Sequence, residues 1–132
     1  MPANKDVITA IFAETAKGNG RPYIEAIADD AVWIGRGQNS WSGAYRGKEA
    51  ILSDLLGPLS KLLDGRNICI PTRIHADGDF VIVEAKGQNQ LKDGRRYDNE
   101  DCFVIKMRDG KMIEITEYLD TELVSDRLGK RA

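Results

Sequence analysis

Asp-Gly dipeptides at 77–78, 93–94 and 109–110 cut the C-terminal half of the chain into four runs rich in β-branched and aromatic residues. Glycine after aspartate supplies the positive φ of a tight turn, so each dipeptide marks a reversal of the chain. The runs cover about Asn67 to Ala76, Asp79 to Gln90, Tyr97 to Met107 and Lys111 to Leu119. Such a series folds as an antiparallel meander, and one apolar face of that sheet needs a cover.

The N-terminal half supplies the cover. Val7, Ile8, Ile11 and Phe12 stand at helical spacing between Lys5 and Lys17, and Gly18-Asn19-Gly20 ends that helix. A short helix over Pro22 to Ala28 and a short strand over Ala31 to Ile34 follow, then a loop from Gly35 to Gly47 rich in Gly, Ser and Asn. From Lys48 to Leu63, leucines and Ile51 make a wide apolar face on a helix that Gly57-Pro58 should kink. A last helix is expected over Thr121 to Leu128, capped by Asp120 and stopped by Gly129. Helices gathered at one end and strands at the other define an α+β fold. In its first long strand Ile68, Ile70, Thr72 and Ile74 should face the helices, opposite the smaller Val81, Val83, Ala85 and Gly87. A curved sheet with small residues facing bulky ones is a cup with room for a ligand.

At 132 residues, one core and one domain over 1–132 suffice. Composition is 42% hydrophobic and 30% charged with net charge −2, which carries no basic footprint for nucleic acid. No apolar run approaches the roughly 20 residues of a membrane span, and Met1 to Asp6 lacks a secretory pattern, so a cytoplasmic location is expected. Cys69 and Cys102 fall on separate strands without metal-ligand spacing, and His75 is the only histidine. Free thiols, no metal and no cofactor are the expectation, with His75 on the outer face.

The hairpin from Asn99 to Leu119 carries carboxyls where a core would carry Val or Leu. With a three-residue turn over Arg108-Asp109-Gly110, Ile105 opposes Ile113, Phe103 opposes Ile115 and Asp101 opposes Glu117. A two-residue turn would set Lys106 against Ile113 and Cys102 against Glu117. In the first register Asp101, Glu117 and Asn99 share the inner face. Two carboxyls close together in a partly dry pocket cannot both ionise cheaply, which suits one as proton donor and the other as acceptor. Asn99 could donate to a carbonyl or enolate oxygen. The ligand-binding set expected around these three is Trp33, Trp41, Tyr45, Phe103, Ile115, Val83 and Leu55, with Trp41 and Tyr45 forming a flexible rim.

Four motifs in order resemble the nuclear transport factor 2-like superfamily, and within it the SnoaL-like polyketide cyclases and ketosteroid-isomerase-like proteins. They are Ile27-Ala28-Asp29-Asp30-Ala31-Val32-Trp33, Tyr45-Arg46-Gly47-Lys48-Glu49-Ala50-Ile51, Gly78-Asp79-Phe80-Val81, and Asp109-Gly110-Lys111 through Glu117-Tyr118-Leu119-Asp120. The resemblance implies a cone-shaped, curved, antiparallel-rich sheet with N-terminal helices packed on its concave face around an apolar pocket. It also implies a homodimer through the outer sheet face. The steroid-isomerase base falls at Gly35 and its oxyanion tyrosine near Ile11, so that mechanism is disfavoured. The epoxide-hydrolase set falls at Glu117, Ala85, Gly87, Trp33 and Gly35, and only the acid survives. The expected function is acid/base chemistry of isomerase, cyclase or lyase type on a small apolar carbonyl or polyketide-like compound. The alternative is a non-catalytic small-molecule binding or dimerisation module.

Overall fold

The structure, a computed structural model, describes residues 2–131. Helix α1 (Asn4–Thr15) buries Ile8, Ile11, Phe12 and Thr15, the stripe its spacing dictates, and ends before Gly18, whose φ is 79°. Helix α2 (Arg21–Ala26) runs directly into strand β1 (Ile27–Gly35). This strand starts four residues before the predicted one, because Ile27 already pairs with Met112 of the last strand. Strand β2 (Gly43–Arg46) then shortens the expected loop.

The long helix is present with a defect in the middle. α3 (Lys48–Ala50) passes through a π-helical stretch, Ile51–Leu56, into α4 (Gly57–Leu62). Gly57 N–H donates to the Leu52 carbonyl five residues back, and a Cβ at Gly57 would stand 2.8 Å from that oxygen. The Gly57-Pro58 kink thus takes the form of a widened turn, which only glycine fits.

Strands β3 (Cys69–Asp77), β4 (Phe80–Gly87), β7 (Glu100–Arg108) and β8 (Lys111–Leu119) form the antiparallel meander. Between them, β5 (Asn89–Gln90) and β6 (Arg96–Tyr97) make a separate small ladder. The six-stranded sheet has the order β2-β1-β8-β7-β4-β3, with β1 parallel to β8 and the other neighbours antiparallel. Helix α1 packs on β3 and β4, and the core joins Ile8 and Phe12 to Val81, Val83, Ile105 and Ile115. Each large side chain buried in this way contributes about 1.5–3 kcal/mol.

Two bulges correct the expected faces. The β7–β8 turn has two residues, but an irregularity between Lys106 and Met107 lets Ile113 and Glu114 share one place in the ladder. Phe103 therefore opposes Glu117 and Ile105 opposes Ile115, while Asp101 opposes Leu119 rather than Glu117. Asp101 and Glu117 remain on one face as diagonal neighbours. In β3 a second irregularity between Pro71 and Arg73 reverses the alternation, with Thr72 Oγ1 donating to the Glu84 carbonyl at 3.0 Å. Cys69 and Pro71, not Ile70 and Thr72, pair with Gly87 and Ala85 on the inner face, and Ile74 keeps its expected side against Val83.

Helix α5 (Thr121–Leu128) is capped as expected: Asp120 Oδ1 accepts from Leu123 N–H at 3.1 Å, and Gly129 closes the helix at φ 67°. Asp120→Ala should lower stability by about 0.5–2 kcal/mol, the usual value of such a cap, read as a lower urea midpoint at unchanged slope. An unchanged midpoint would mean that the Asn99 contacts to the Asp120 backbone hold this corner without the cap.

Candidate functional site

Small residues flank the two acids. Gly35 of β1 lies beside Glu117, and Ala85 of β4 lies beside Asp101. Next to them the sheet's inner face keeps a cavity of about 120 Å³. Its lining includes Trp33, Trp41, Leu55, Asn99, Asp101, Phe103 and Glu117, seven of the ten residues expected from the sequence. Tyr97, Cys69, Val124 and Leu128 also line it. A second cavity of about 400 Å³, walled by α1 and α2, shares Trp33, Leu56, Asn67, Cys69 and Phe103 with the first.

The remaining expected residues stand elsewhere. Ile115 and Val83 are wholly buried in the core behind the site. Tyr45 is also buried, its hydroxyl donating to the Trp41 carbonyl at 2.7 Å. Trp41 donates from Nε1 to the Gly129 carbonyl at 2.8 Å, and Arg131 lies 5.3 Å above the Tyr45 ring. The expected flexible rim is therefore a pinned corner: the C-terminal tail crosses the loop and holds both aromatics down.

Asp101 and Glu117 are half-buried and both line the cavity. Burial lifts the Asp101 carboxyl from an ordinary 3.8 to about 7, offset in part by a hydrogen bond from Glu117. Burial, then the charge of Asp101, pushes Glu117 well above the usual carboxylate range. Both carboxyls are thus pushed toward the protonated form, and the two titrate as a pair. The Trp33 indole N–H, which has no partner in ordinary hydrogen-bond geometry, opposes this weakly by favouring a charged Glu117. Asp101 Oδ1 is buried without a donor.

Asn99 lines the cavity, but its amide is engaged. Nδ2 donates to the Asp120 carbonyl at 3.1 Å and to Tyr97 Oη at 3.3 Å, and Oδ1 accepts from Asp120 N–H at 3.1 Å. This clasp ties β7 to the start of α5. The Tyr97 hydroxyl, held by Asn99, keeps its own proton to donate, and burial raises its pKa. Tyr97 and Tyr23 escaped the sequence reading, although a tyrosine on an apolar stripe carries a hydroxyl that must find a partner.

Other chemistry is dispersed. Both cysteines are free, and burial raises Cys69 to about 12, so its thiol stays protonated. His75 is exposed and pairs with Glu84 at 3.0 Å on the outer face. Arg95 and Arg96 pair with Asp93 and Asp98 rather than with the buried carboxyls. Among the described residues, no group of three His, Cys, Asp or Glu is placed to hold a metal, and no helix is long and apolar enough to cross a membrane.

An α-helical cover over a curved sheet, with acids at the bottom of an apolar cavity, defines a small α+β domain of the nuclear transport factor 2-like kind. The model of the SnoaL-like domain matches residues 8–115, and the chain belongs to that family. Solved structures agree on the fold. A nuclear transport factor 2-like protein from Burkholderia thailandensis has TM-score 0.81 at 19% identity, covering 97% of this chain and 98% of that one. One from Burkholderia xenovorans has TM-score 0.71 at 26% identity over 95% of each chain. A protein of ketosteroid-isomerase-like fold from Catenulispora acidiphila, in complex with trimethylamine, has TM-score 0.73 at 16% identity over 94% and 92%. No curated protein matches this chain.

Because both carboxyls have raised values in the folded state, the folded protein holds protons that the unfolded chain releases. Their stabilising contribution is whole below about pH 4 and is lost as pH rises, through about 7 for Asp101 and as Glu117 in turn ionises. Wild-type stability should therefore fall between pH 5 and 7, on the order of 1 kcal/mol per pH unit. The double variant Asp101→Asn/Glu117→Gln should show little slope in urea titrations over that window. Equal slopes in the two proteins would remove the shared buried proton.

Proposed function

We propose that this protein is a cofactor-independent enzyme for a small apolar carbonyl compound, with Asp101 and Glu117 as its acid/base pair. The observation that carries the reading is the placement of two carboxyls, both pushed upward by burial, in one largely apolar cavity. Near neutral pH Asp101 is the group able to take a proton from the carbon beside a carbonyl, while Glu117 gives its proton to the carbonyl oxygen. The product is an enol. Return of a proton at another carbon completes an isomerisation, attack of the enol on an internal electrophile closes a ring, and loss of a β-leaving group completes a lyase reaction.

Membership of the SnoaL-like family supports small-molecule chemistry, and the Catenulispora relative was crystallised with a small organic molecule in complex. We carry into this reading one SnoaL-like domain over 1–132, acting in the cytoplasm as a homodimer through the outer sheet face. The exposed Phe80 and Tyr118 support that surface as the contact.

One observation favours a second reading, a binding module without catalysis. The Asn99 amide, the expected donor to an enolate, is spent on Asp120 and Tyr97. Incubation of wild type and Glu117→Gln with a metabolite extract, followed by mass spectrometry of bound and consumed species, separates the two. An acid/base role predicts a compound consumed by the wild type and turned over at least about 100-fold more slowly by the variant. A compound retained unchanged by both proteins would make this a binding module.

A further inference from the structure

Charge is distributed unevenly around the larger cavity. Phe12, Tyr23, Trp33 and Phe103 make most of its wall, and its lining holds no carboxylate and one ionised group, the Arg66 guanidinium. Cys69, in the same wall, keeps its proton. A chain of net charge −2 thus sets a single positive charge at the exposed rim of an apolar chamber.

Arg66 is unlike most arginines of this protein. Six others, Arg21, Arg73, Arg95, Arg96, Arg108 and Arg127, pair with a carboxylate, whereas Arg66 has no polar partner among the described residues. Asp64, two positions before it, forms no ion pair with it. The stem of Arg66 is nevertheless placed. A Cβ at Gly18 would stand 3.0 Å from Arg66 Cβ and 3.2 Å from its Cδ, so the side chain crosses a position where glycine leaves it room. Gly18 also has a φ of 79°, which favours glycine again.

Asn67 adds a donor of fixed orientation. The buried Asn89 accepts from Ile68 N–H through Oδ1 at 2.8 Å, so its Nδ2 is the atom that donates to Asn67 Oδ1 at 3.2 Å. The oxygen of Asn67 is therefore taken, and its Nδ2 is left over on a residue that lines both cavities. Ser60 brings a hydroxyl to the same rim, while that of Thr15 is spent on the carbonyls of Phe12 and Cys69. Uncommitted donors around one cation call for an anion. One positive charge balances a carboxylate, whose two oxygens match the guanidinium fork, whereas a phosphate dianion would bring a second charge against apolar walls. Ile24 lines the chamber and is 38% exposed, so apolar area stands open to the body of such a ligand.

We propose that Arg66, assisted by Asn67 Nδ2 and Ser60, binds the carboxylate of an amphipathic acid whose apolar body occupies the larger cavity. The proposal rests on the small-molecule reading of the adjoining cavity and adds an ionic handle to the ligand: a monoanion held with its head at the rim. Trp33, Asn67 and Phe103 are common to both cavities, so a ligand anchored at Arg66 extends its far end toward Asp101 and Glu117. Arg66 is thus a specificity-determining residue outside the acid pair.

The test titrates octanoate and its neutral counterpart octanamide into wild type and Arg66→Gln by calorimetry at neutral pH. Arg66 is exposed, and a thermal melt checks that the variant folds. Wild type should prefer the acid, and the variant should bind it about three- to thirtyfold more weakly while holding the amide unchanged. Raising salt from about 0.05 to about 0.5 M should weaken octanoate binding by wild type and leave that of the variant unmoved. Equal affinity of wild type for acid and amide, a matching loss of both in the variant, or no octanoate binding by wild type would overturn the subsite. Titration of Asp101 and Glu117 is read separately: two ordinary carboxyls beside an intact Arg66 effect would sink the acid/base reading and leave the subsite standing. Raised carboxyls without an Arg66 effect would do the reverse.

Discussion

The β7–β8 ladder puts two incompatible duties on one face. Ile105, Ile115, Phe103 and Met107 use that face to anchor the core, and Asp101 and Glu117 occupy its continuation. Side chains alternate strictly along a strand, so a core end and an acid end stay on one side only if the count between them is even. A plain two-residue turn would have broken that count. The bulge at Ile113 and Glu114 restores it, turning Glu117 inward without exposing Ile115. Everything else in the site follows from this parity. The neighbouring strands set Gly35 beside Glu117 and Ala85 beside Asp101, and a Cβ at Gly35 would meet the backbone of Trp41 and Ser42.

Burying two carboxyls costs stability unless they stay neutral or share a proton, and both devices operate here. Burial lifts both carboxyls, so the pair favours a protonated form over two adjacent charges. The surrounding rings of Phe103 and Trp33 offer little to solvate a second charge. A group held this way has a proton affinity set by its surroundings, and its sensitivity to pH near neutrality follows from where it is buried. The same low polarity strands the Tyr23 hydroxyl and the Trp33 indole N–H. Such open valences are tolerated where a ligand completes them, which is why unsatisfied groups and candidate sites coincide.

Much of this was legible in the sequence. The meander, the apolar stripe of α1, the cap at Asp120 and the limits of β8 and α5 follow from local chemistry: Asp-Gly turns, helical spacing and a glycine stop. The acid at 117 and its neighbour at 101 were legible because carboxyls interrupt an otherwise apolar alternation. The bulges were not, because a bulge is a property of two paired strands and neither strand records it alone. That is why β3 presents Cys69 and Pro71 where simple alternation predicts Ile70 and Thr72. The parallel pairing of β1 with β8 joins segments about 80 residues apart and likewise leaves no local trace. Trp41 and Tyr45 sit in a stretch whose composition signals a mobile loop. Their partners, Gly129 and Arg131, come from the far end of the chain.

Asn99 shows how position and role can separate. Its place two residues before Asp101 suggested a donor into the cavity, and it does line that cavity. All its polar atoms are nevertheless committed to the corner where β8 gives way to α5. That corner sets the distance between the acids on the sheet and the two α5 residues, Val124 and Leu128, that close the cavity from above. An amide satisfied on both sides is rigid, and its bond to Tyr97 Oη leaves the tyrosine's proton free to donate. Of these two cavity-lining residues, Tyr97 is the one whose side-chain proton is uncommitted.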